Sequence, residues 1–146
     1  MDQSDFDSKH NEKYHLKGKS TLVNKPKGKR NILLIGPQTE LIFAERSFMA
    51  PALGVIRLAG FLNKKGHYAV SFEPNLPMLT NEGPFLEEVL KSKKWDIIGF
   101  SILEETFIHD IKNMHLAEKI CPDAIFVAGG IEAQFNYQNV LDKTPC

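Results

Sequence analysis

The sequence predicts an α/β fold built on a doubly wound parallel sheet, and two observations carry that prediction. From Asn31 onward, short continuous apolar runs alternate with longer amphipathic segments. Three of those runs are apolar on successive residues, the pattern of strands covered on both faces.

The predicted strands are residues 31–36 (NILLIG), 68–73 (YAVSFE), 96–101 (DIIGFS) and 124–128 (AIFVA). Between them, residues 52–65, 84–93 and 106–121 are each long enough for a helix. Phe85, Leu86, Val89 and Leu90 make one apolar stripe in the second; Phe107, Ile108, Ile111, Met114, Ala117 and Ile120 make another in the third. Pro51 stands at a helix start, Gly66 follows Lys64-Lys65 as a stop, and Pro122 closes the third helix. A fourth helix is expected over residues 133–141. The order β-α-β-α-β-α-β-α implies right-handed crossovers. Four strands lie in this chain, and a fifth is expected but missing where the sequence reaches Thr144-Pro145-Cys146. The open edge would need a neighbouring domain to cover it, or mark a fragment cut short at its C-terminus.

The chain has 146 residues, enough for one ordinary core. Its 18 basic and 18 acidic residues cancel, so no overall field points to nucleic acid or an anionic membrane. The cysteines, Cys121 and Cys146, have no partner motif, which suits a reducing cytosol rather than a disulfide scaffold. No apolar run approaches the ~18 residues of a membrane span, and the acidic start MDQSDFDSKH is no secretory signal. A cytoplasmic protein is expected. Residues 1–30 read as a polar, basic, disordered tail, with Lys13, Lys17, Lys19, Lys25, Lys27, Lys29 and Arg30 and no acid after Lys13. Residues 31–146 form the predicted domain.

In open α/β sheets, ligands bind beyond the carboxyl ends of the strands, where strand order reverses. The first strand is followed by Gly36-Pro37-Gln38-Thr39, without the further glycines of a dinucleotide fingerprint, and no Walker A lysine motif occurs. Gly129-Gly130 after the fourth strand removes two Cβ atoms where a ligand would meet the backbone; taken by itself, the pair is better explained by a tight turn needing positive φ. Ser101 and Leu103 after the third strand offer a hydroxyl and an apolar wall. The two features belong on adjacent strand ends, and their pairing is the signal.

At these residues the sequence resembles the cobalamin (B12)-binding domain of B12-dependent radical SAM proteins. The resemblance rests on Ser101-Ile102-Leu103, Gly129-Gly130, Pro51-Ala52-Leu53-Gly54 and Gly66-His67, within a match from about Asn31 to Cys146. It implies a Rossmann-like (flavodoxin-like) domain with a corrin ring across the strand ends and its nucleotide tail descending into the crevice. Ser101 would hydrogen-bond near the tail's benzimidazole, Leu103 would pack on it, and Gly129, Gly130 and Ile131 would form the turn that admits it. Glu104, Glu105 and Thr106 would face the corrin amides; an acidic helix start explains the two glutamates equally well. The loop GPQTELIFAERSF has no histidine, so no axial His comes from the first-strand loop, and cobalt's lower face is left to solvent or to a side chain from residues 38–48.

With two cysteines the chain cannot supply the C-x-x-x-C-x-x-C ligands of a [4Fe–4S] cluster. It is therefore expected to bind cobalamin without being catalytic alone. Its expected partner is a radical SAM catalytic domain, in cis or in trans; neither nucleic acid nor membrane is expected. His109 and His115 are six apart and share no helix face, and no histidine pair has zinc-site spacing. Two other functions fit the fold: a cofactor-free flavodoxin-like interaction or regulatory domain, and a non-functional fragment. A phospho-receiver is disfavoured because the first strand ends without an acidic pair and the third in Ser101.

Overall fold

Apolar residues that follow one another along a strand must point to opposite faces, so each run needs cover above and below. The computed structural model, which describes residues 28–39 and 51–146, shows how far this chain supplies it. Its elements run β1 (Asn31–Ile35), α1 (Leu53–Lys64), β2 (Tyr68–Phe72), α2 (Asn75–Thr80), α3 (Leu86–Lys91), β3 (Ile97–Ser101), α4 (Phe107–Ile120), β4 (Ile125–Gly129), α5 (Ile131–Phe135) and α6 (Tyr137–Lys143). The four strands form one all-parallel sheet in the order β2-β1-β3-β4. This is the Rossmann-like, flavodoxin-like arrangement, with the order reversing between β1 and β3.

One face is well filled. Leu33 and Ile35 of β1 and Ile98 and Phe100 of β3 pack there with Leu90, Trp95, Met114, Ala117 and Val140. On α4 the buried residues Asp110, Met114 and Ala117 fall at helical spacing, which turns that side of the helix to the sheet. The other face carries Ile32, Leu34 and Ala69 against Ala59, Val55 and Leu62 of α1. Among the described residues α1 covers β1 and β2 but leaves β4 open: Ile125 is 63% and Val127 47% exposed. The expectation of two covered faces thus holds for β1 and fails for β4.

Other departures are local. Residues 75–80 form α2, which the sequence reading did not predict; Pro77 sits within its first turn, where a missing N–H is tolerated. The helix expected over 133–141 is two short helices joined at Asn136, a poor helix former whose side chain bonds Glu132 instead. Phe85 is not on the α3 stripe but caps it from outside, its N–H donating to Glu88 at 2.7 Å. Ile108 lies exposed, off the buried side of α4. The tail expected over residues 1–30 falls almost wholly outside the described residues, as does most of the loop after β1. No helix among the described residues is long and apolar enough to cross a membrane.

The join between α1 and β2 depends on one side chain. Asn63 donates to the Ala69 carbonyl at 2.8 Å and accepts from the Ala69 N–H at 2.9 Å, tying the last turn of α1 to the strand. Asn63→Ala should lower unfolding free energy by about 1–2 kcal/mol in urea denaturation, the usual cost of leaving such groups unpaired.

Candidate functional site

Parallel strands deliver all their carboxyl ends to one side, and the register sets what meets there. Ser101 pairs with Gly129 across the β3–β4 ladder, so the hydroxyl-bearing turn and the glycine turn are neighbours. The Ile102 N–H donates to the Gly129 carbonyl at 2.8 Å, and the Glu132 N–H donates to the Ile102 carbonyl at 3.3 Å, stitching the two tips together.

Below the tips, on the open face, lies an apolar groove of about 480 Å³. Its floor comes from Ile97, Gly99 and Ser101 of β3 with Val127 and Gly129 of β4, and its wall from Val55, Leu58 and Leu62 of α1. The volume lies in the range of small-molecule sites. Exposed Leu53, Leu58 and Val127 extend the apolar surface around it, and such a surface usually marks a binding face.

Of the eight residues singled out from the sequence, Ser101, Gly129 and Gly130 line this groove. Leu103 is half-buried, Glu104 and Glu105 are exposed beside the tips, and Ile131 is 61% exposed at the start of α5. Thr106 is 1% exposed, and its hydroxyl donates to Asp110, so it faces inward rather than toward a ligand.

Gly130 also differs from expectation. It has φ +92°, and a Cβ there would stand 2.5 Å from the Ile102 carbonyl oxygen and 2.8 Å from its nitrogen. The room left by its missing side chain is occupied by the tip of β3, not by the groove. At Gly129 the nearest atom to an added Cβ is the Phe100 carbonyl at 3.8 Å, so that glycine is the open one.

Sequence reasoning missed Gly99 and the α1 wall. Gly99 interrupts an apolar strand, a signal of close approach that was available in the sequence; a Cβ there would meet only the tip of Leu34 within 3 Å.

A second polar cluster holds the stem that leaves β1. Asn75 donates to the Pro37 carbonyl and accepts from the Thr39 N–H, both at 2.9 Å. The Gln38 N–H donates to Asp110 at 2.9 Å, and Asn113 donates to the Gln38 side chain at 2.6 Å. Burial pushes the Asp110 carboxyl up to about 6, against hydrogen bonds from Thr106, Gln38 and Leu103 that favour its charge. Burial likewise raises Glu73, against bonds from Asn75 and from the Ala52 N–H. Among the described residues no group of three or more His, Cys, Asp or Glu could hold a metal ion.

The fold is an open α/β sheet of the doubly wound class, and its apolar groove lies at the strand tips, where sheets of this class hold their ligands. Among known proteins, the chain is 28% identical over 114 residues to the anaerobic magnesium-protoporphyrin IX monomethyl ester cyclase of Rubrivivax gelatinosus. The match takes in 78% of this chain and 20% of that protein. No family profile matches the chain, and no solved structure does.

Proposed function

We propose that this chain is a cobalamin-binding module, the cofactor-holding part of a radical SAM system, of the methyltransferase or ring-forming kind. One observation carries the reading: the groove opens directly beneath Ser101 and Gly129, apolar along its length with a hydroxyl at its rim. A flat aromatic base with polar nitrogens and a sugar–phosphate link matches that distribution. The similarity to a cyclase that acts on a tetrapyrrole ester supports the radical SAM connection.

In this reading Ser101 holds the tail base at the rim, and Gly129 leaves its entrance clear. Leu103 and Ile131 flank the entrance, and Glu104 and Glu105 accept from the corrin amides. Thr106 and Gly130 act indirectly, Thr106 through Asp110 and Gly130 by letting the two strand tips close on each other. Bound cobalamin would supply the methyl-carrying or radical-supporting chemistry, and the catalytic domain would come in cis or in trans. The chain's own contribution is to bind, orient and shield.

Mixing the purified chain with hydroxocobalamin, followed by gel filtration, should give protein that retains a shifted corrin absorbance in about equimolar amount. Protein emerging free of corrin would refute the reading and favour a cofactor-free interaction domain.

A further inference from the structure

Loop stems are seldom held by buried side chains, because chain leaving a strand usually runs out into water. Here three successive residues after β1 are held at once. Pro37 and Thr39 bond to Asn75 on one side, and Gln38 bonds to Asp110 and Asn113 on the other. Asn75 is 8% and Asp110 1% exposed. Asp110 also receives the Thr106 hydroxyl, and Thr106 bonds the Leu103 N–H in the turn that follows Ser101.

We propose that Asp110 is a positioning residue whose carboxylate clamps the stem after β1 against the β3 turn, so that proton uptake at Asp110 loosens the crevice. The effect on a ligand rests on the cofactor reading above; the clamp itself does not.

The groups facing Asp110 are the Thr106 hydroxyl and Leu103 N–H from the β3 turn, the Gln38 N–H from the stem, and His109 beside it on α4. Charge on His109 favours the carboxylate. Glu73, at the end of β2, faces Asn75. As a carboxylate, Asp110 accepts charge-assisted bonds, which are roughly twice as strong as neutral ones. Once protonated, it holds Gln38 only through a neutral oxygen, and its own proton turns toward Thr106, reversing that bond.

Burial raises this carboxyl from the usual 3.8 to about 6, so the switch falls in an accessible range. The folded state binds the proton more tightly than the unfolded chain does. Stability therefore falls as pH rises from 3.8 through about 6, and the domain keeps the charged form at a stability cost. Such a cost is characteristic of sites kept for function.

Backbone amide NMR of the full chain between about pH 5 and 8 tests the clamp. The Gln38 and Leu103 amides should titrate together with a midpoint near 6. Asp110→Asn should flatten both curves. Thr106→Val removes a bond that favours charge and should raise the midpoint, while Thr106→Ser should restore it. A Gln38 amide that does not move in this range, or still moves in Asp110→Asn, would overturn the proposal, as would an unshifted midpoint in Thr106→Val. With methylcobalamin as probe, wild-type affinity should weaken about fivefold at the acidic end, with no such change in Asp110→Asn. Equal pH dependence in both proteins also counts against the clamp. Failure to bind methylcobalamin at any pH would strike the cofactor reading alone, and the amide titration would still decide this one.

Discussion

Gly130→Ala is expected to cost the domain about 3–5 kcal/mol, a large share of the 5–15 kcal/mol that holds a typical domain together. Two effects add. At φ +92° and ψ −179° the backbone lies in a region almost reserved for glycine, worth ~1–3 kcal/mol for any other residue. The new Cβ would also press on the Ile102 carbonyl at 2.5 Å. Those are backbone atoms bonded to Gly129 and Glu132, so they cannot retreat without losing the bonds that join the tip of β3 to β4 and α5. Gly129→Ala, one residue earlier, meets nothing closer than 3.8 Å and should stay within ~1 kcal/mol of wild type. Urea denaturation of the pair measures both. Equal stabilities would mean that the turn relaxes freely and that the strand tips are not locked together as described.

That contrast also shows how much of the site could be read from the sequence. The strands were legible because buried parallel strands are apolar on consecutive residues, and all four were placed within a residue or two at each end. The neighbouring positions of Ser101 and Gly129 followed from strand order, which the loop pattern implies. The division of labour between the glycines did not follow, because a positive φ and an open approach leave the same letter in the sequence. That Thr106 faces a ligand is implied only by the family resemblance. Its hydroxyl is held by Asp110, four residues along the chain, and Asp110 in turn holds Gln38, 72 residues away from it. Pairings of that kind are tertiary and leave no local pattern. The open face of β4 was also hidden: AIFVA has the composition of a strand covered on both sides, but cover is supplied by whatever packs on it. The wall from α1 was signalled only by Gly99, a glycine in mid-strand that local reasoning passed over.

Val127→Trp is expected to abolish retention of a corrinoid while leaving the fold intact. Val127 stands 47% exposed on the open face of β4, so a larger side chain can enter the groove without displacing the core on the other face. Tryptophan suits a strand, and the indole would lie against Leu58 and Leu62, filling the space a tail base would use. If that base buries on the order of 100–150 Å² of apolar surface, its exclusion removes about 3–4 kcal/mol, or at least a hundredfold in affinity. Ile125→Trp provides the matched control. It adds similar bulk to the same strand and the same face, but Ile125 lies outside the lining of the groove and should bind as wild type does. Loss in both variants would point to general damage of β4. Undiminished binding by Val127→Trp would place the ligand elsewhere, because a flat base and an indole cannot share one slot. The test thus bears on the geometry rather than on the resemblance, and it separates a groove shaped to receive a base from an apolar face that awaits another protein surface.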